Sequence, residues 1–67
     1  MYRVGQYLLE RNHRGEILAV LQAQDSESTA GSQSAKVICC FPGSYPSNGW
    51  NTSIMRGSYW TYEEITE

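Results

Sequence analysis

Residues 4–24 read VGQYLLERNHRGEILAVLQAQ, and they decide the fold. Two apolar runs, residues 4–11 and residues 16–24, flank Asn12-His13-Arg14-Gly15. Polar residues closed by Gly between two apolar runs read as a tight hairpin turn, so the runs pair as antiparallel strands. The second run contains Ala19, Leu21, Gln22 and Ala23, which also tolerate helix. Two helical turns therefore stand as an alternative. The strand reading is preferred because the run is short and follows a Gly turn at hairpin distance.

Working outward, residues 25–35, DSESTAGSQSA, form a polar stretch without aromatics or helical period. They read as a flexible loop, long for so small a chain, either a surface excursion or a lid. KVICCF at 36–41 reads as a third strand, rich in β-formers and stopped by Pro42-Gly43. WNTSIMR at 50–56 and SYWTY at 58–62 read as two further strands. Thr61-Tyr62-Glu63-Glu64 matches a capping box, which predicts a short helical turn at the C-terminus. The expectation is one all-β domain over residues 1–67: a small five-stranded barrel or half-barrel with a C-terminal helical turn.

VGQYLLE followed by GEILAVL resembles the opening of SH3-like small β-barrels, and RGSYWTYEEI looks like their last strand. Such layouts are common among small phage and mobile-element proteins. The layout is also similar to the type II dihydrofolate reductases. Their pore-lining Val-Gln-Ile-Tyr is missing here, so that activity is not carried over.

The chain has 67 residues, 40% apolar and 18% charged, with a net charge of -2. That allows one small domain and argues against disorder. Arg3, Arg11, Arg14, Lys36 and Arg56 are too few and scattered for a nucleic-acid groove. Nothing approaches the roughly 20 apolar residues of a membrane span. The opening MYRVGQYLLERNHRG has no secretory core, which predicts a cytoplasmic protein. Adjacent Cys39 and Cys40 point to opposite faces of a strand. They suit neither a mutual disulfide nor zinc, and read as small buried apolar residues.

Alternation within EILAVLQAQ puts Ile17, Ala19, Leu21 and Ala23 on one face, and Leu18 and Val20 on the other. In KVICCF, Val37, Cys39 and Phe41 share a face, with Ile38 and Cys40 opposite. Strands apolar on both sides are covered on both sides. A chain this short cannot cover its own exterior, which predicts a homo-oligomer or a partner protein.

The titratable residues do not assemble into chemistry. His13 falls in the hairpin turn, Asp25 opens the polar loop, and the Gly residues form no phosphate loop. No enzyme, metal or cofactor is expected. Aromatics instead crowd the second half: Tyr45, Trp50, Tyr59, Trp60 and Tyr62, interleaved with Asn51 and Arg56. Trp, Tyr and Arg dominate interaction hot spots. These seven residues are the candidate binding site, although Trp50, Trp60 and Phe41 also fit as core. The expected function is a small binding protein, an inhibitor or interaction module acting on a host protein through this aromatic face. The alternative is an oligomer that sequesters a nucleotide-like molecule between subunits, its base stacked on a ring and its phosphate on Arg56.

Overall fold

A computed structural model describes residues 2–25, 31–55, 57 and 59–66. The strands are β1 (Tyr7–Arg11), β2 (Ile17–Ala23), β3 (Ser32–Cys40), β4 (Asn51–Met55) and β5 (Thr61–Ile65). They form one antiparallel sheet in the order β4-β3-β2-β1-β5. The all-β expectation is met. The sheet does not close into a barrel: β4 and β5 are its two edges.

The β1–β2 hairpin forms where Asn12-His13-Arg14-Gly15 predicts it. The Asn12 side-chain oxygen accepts from the backbone N–H groups of Arg14 (2.9 Å) and Glu16 (3.0 Å). Gly15 takes φ 85°, which only Gly adopts without strain. Residues 17–23 are strand, as preferred over helix.

Expectation and structure differ by more than a residue at four places. The first run, expected as strand from residue 4, pairs only from Tyr7, with residues 4 and 5 in a turn. Residues 32–35, assigned to the polar loop, begin β3. Their composition is poor in β-formers, yet alternation holds: Gln33 and Ala35 are buried, and Ser34 is exposed. Gln33 is fixed from afar, its amide accepting from Tyr2 N (3.1 Å) and donating to Tyr2 O (2.6 Å). The last strand lies at 61–65 rather than 58–62. The capping-box residues build no helical turn. They pair with β1, Tyr62 opposite Glu10 and Glu63 opposite Leu9.

The core lies on one face of the sheet, the inner face. It consists of Leu8, Ala19, Leu21, Ala35, Val37 and Ile54, with Tyr2, Cys40, Tyr45 and Tyr62 packed against it. Two irregularities break the strict alternation. Glu10 pairs with Ala19 and Arg11 with Ile17, so Leu18 is an extra residue. Val20 pairs with Cys39 and Leu21 with Val37, so Ile38 is another. Each bulge flips the facing of everything beyond it. Ile17, expected inside, is therefore outside and 48% exposed. Cys40 packs on the core while Cys39 is exposed, the reverse of the expected facing.

Candidate aromatic site

The inner face is tiled by small residues, Ala19, Ala23 and Ala35, which leave room for tyrosine rings above them. Tyr62 stands opposite Glu10 on the neighbouring strand and meets Tyr2 edge to face, ring centres 6.5 Å apart. Tyr45 descends from the β3–β4 connection and donates its hydroxyl hydrogen to Glu10 Oε1 at 2.6 Å. Thr52 also hydrogen-bonds the phenol. Burial first, then the Glu10 carboxyl, push the Tyr45 phenol from 10 up to about 12.

Glu10 is the unexpected member. It is 0% exposed, and its Oε2 has no hydrogen-bond partner. Sequence reading misses it because Tyr7 and Leu9 make the opposite face of β1 look like the inward one. Only the pairing of Leu8 with Leu21 turns Gln6, Leu8 and Glu10 inward.

Just before β5 the chain carries a second aromatic group, Tyr59 and Trp60. Trp60 stacks on His13 of the β1–β2 turn, centres 6.2 Å apart and planes 12° from parallel. Tyr59 meets the same imidazole edge-on at 6.5 Å and is 84% exposed. His13 is thus exposed, as a turn residue should be, but it is also one wall of an aromatic cluster.

Of the seven sequence-selected residues, Tyr59 and Trp60 gather at the hairpin turn, and Tyr45 and Tyr62 gather about Glu10. Trp50 lies just before β4, 47% exposed, with Asn51 exposed beside it at the start of that strand. Arg56 lies outside the described residues. Trp50, Trp60 and Phe41 are not core: aliphatic and alanine side chains fill the interior instead.

Gly49 takes φ 81° and, with Trp50, opposes Val37: Val37 N–H donates to Trp50 O (2.8 Å) and Gly49 N–H to Val37 O (2.6 Å). This left-handed bulge starts β4.

An open cleft of about 410 Å³ lies elsewhere, between the N-terminal arm and the end of β5. It is lined by Arg3, Gly5, Gln6, Tyr7, Ile65 and Thr66 and includes none of the seven residues. Among the described residues no three His, Cys, Asp or Glu side chains converge as metal ligands. Among them, too, no helix is long and apolar enough to cross a membrane. Comparison with known proteins finds no matching family model, curated protein or solved structure.

Proposed function

We propose that this chain is a non-catalytic binding protein, cytoplasmic and homo-oligomeric, that holds a partner protein through the aromatic end of its sheet. The observation that carries the reading is the His13–Trp60–Tyr59 cluster, displayed on a hairpin turn with Tyr59 almost wholly exposed. Exposing aromatic surface to water is unfavourable for an isolated domain. Rigid rings with few rotamers lose little entropy when a partner covers them, which makes them effective anchors. Homo-oligomerisation is supported by the outer face, where Ile17, Leu18, Val20, Ile38 and Phe41 stay wholly or partly exposed. The same surface supports a role as inhibitor or interaction module.

A second reading, sequestration of a nucleotide-like molecule, is supported by the near-parallel His13–Trp60 pair. A stacked pair offers a flat face to a base, and Arg11 and Arg14 belong to the same hairpin.

The test compares two baits, the native chain and a Tyr59→Ala/Trp60→Ala variant, each checked by circular dichroism for an intact sheet. The reading expects one partner protein held by the first and released by the second, with affinity down about 30-fold or more, as for a hot spot. Partner capture that ignores the double substitution refutes it. Thermal shift with AMP, ATP and cyclic AMP separates the second reading, since a ligand of the native state raises the melting temperature. A rise that disappears in Trp60→Ala supports sequestration and displaces the first reading.

A further inference from the structure

The two edges of the sheet are chemically unlike. β5, Thr61–Ile65, carries Glu63 and Glu64, both exposed. β4, Asn51–Met55, has the sequence NTSIM, with no charge, no Pro and no Gly. Natural sheets guard their edges with charge, Pro, bulges or a covering segment, because an unguarded edge is a template for another strand.

The backbone of β4 shows which groups are offered. On β3, Val37 exchanges bonds with the Gly49–Trp50 lead-in to β4, whereas Ser34 O accepts from Gln24 N–H next to β2 (2.8 Å). Facing alternates along a strand, so Gln33, Ala35 and Val37 bond toward β4. Their partners Ile54 and Thr52 therefore point back at β3. The N–H and C=O groups of Asn51, Ser53 and Met55 point away from the sheet. Among the described residues no strand lies against them.

We infer that β4 is a homodimer interface: β4 pairs antiparallel with β4 of a second copy, about a two-fold axis through Ser53. This inference rests on the homo-oligomeric part of the reading above and places the contact at the β4 edge, apart from the outer-face residues that support that part. The occupant is a second copy because the segment is complementary to itself. The axis sets Ser53 against the partner's Ser53, and Asn51 against the partner's Met55. On the inner face it sets Thr52 beside the partner's Ile54, a β-branched pair of the kind that stabilises cross-strand neighbours. No charge meets a like charge. The same operation on β5 would set Glu63 against the partner's Glu63, a destabilising pair. Closed two-fold pairing also consumes the free edge in both copies, so assembly stops at two.

A five-residue strand per copy lies at the small end of specific interfaces, so dissociation falls in roughly the micromolar range. The test is light scattering on the full chain from about 1 μM to about 1 mM. It is paired with amide hydrogen exchange and two substitutions. Ser53→Lys places like charges at the axis. Ser53→Pro removes the outward N–H at its centre and no bond to β3.

The expected result is a mass rising with concentration to twice the 7.6 kDa of the chain. The Ser53 and Met55 amides become protected over the same range. Both variants stay at single-chain mass with unchanged circular dichroism. Should Ser53→Pro fail to fold, Ser53→Lys decides. A native chain that dimerises while Ser53→Lys dimerises equally well overturns the β4 contact but leaves the oligomer reading standing. A native chain that keeps single-chain mass throughout overturns both.

Discussion

Replacing Tyr45 with Phe tests the buried Glu10–Tyr45 pair at the cost of one oxygen atom. The ring stays, so apolar packing on the inner face is preserved and only the hydroxyl is lost. That hydroxyl is the partner of Glu10 Oε1, at 2.6 Å, and Oε2 already has none. After substitution neither oxygen of a 0% exposed carboxyl is satisfied. Leaving a buried acceptor without its donor costs about 1–3 kcal/mol. Taking about 2 kcal/mol, the melting temperature of a domain this small falls by roughly 8–16 °C. The assay is thermal unfolding at neutral pH, followed by circular dichroism. Glu10→Leu supplies the control. It removes both carboxyl oxygens, and Thr52 remains beside the Tyr45 hydroxyl. In the Glu10→Leu background, Tyr45→Phe should therefore cost less than about 1 kcal/mol, so the two changes are coupled by on the order of 1–2 kcal/mol. The reasoning fails if Tyr45→Phe melts within about 2 °C of the native chain, or if its effect is the same with Leu at position 10.

Three further outcomes follow from the same structure. Because the folded chain holds the Tyr45 phenol at about 12 against 10 when unfolded, its contribution is present below pH 10 and lost as pH rises through 12; the native-minus-Tyr45→Phe difference in urea midpoint should shrink over that window. Leu21→Ala hollows the centre of the core, where Leu21 is fully buried, and costs about 2–5 kcal/mol. That is about half of the roughly 3–10 kcal/mol available to a chain this size, so a large fall in the urea midpoint checks it. At Gly49, φ is 81° and the space a Cβ would occupy is open, so L-alanine should cost about 1–2 kcal/mol from backbone strain alone. D-alanine, introduced by chemical synthesis, should restore the native melting temperature.

What can be read from the residues is the part governed by neighbours in sequence. The β1–β2 hairpin follows from Asn12 and Gly15, the strand character of residues 17–23 from a short run at hairpin distance from that turn, and that of residues 36–40 from their composition. What escapes is governed by distant contacts. Ser32–Ala35 is a strand because Tyr2, thirty-one residues before Gln33, holds that side chain, and because β4 lies alongside. Thr61–Glu64 satisfies a local rule for starting a helix, but a free edge on β1 offers those residues a strand partner instead. The aromatic site is half legible. Composition locates Tyr45, Tyr59, Trp60 and Tyr62, but the two residues that organise them, Glu10 and His13, belong to the first hairpin. A carboxyl on a strand gives no local sign that it faces inward.

The two bulges change which side chains each face carries. If Leu18 and Ile38 paired in strict alternation instead, Ile17 would turn inward beside Ala19 and Cys39 would turn inward after Val37, while Ile38 would stay outside. With the bulges, the inner face takes Cys40 and the outer face takes Ile17. Both bulges stand at the same end of the sheet as the Tyr62–Glu10–Ala19–Cys40 row. Bulges bend a strand and re-aim its side chains. The bulge at Leu18 is therefore the feature that delivers Ile17 to the surface, next to the hairpin turn that carries His13. An isolated sheet in strict alternation, without the bulges, would take Ile17 out of water. Retaining them makes physical sense when the outer face and the aromatic end are covered by something other than water.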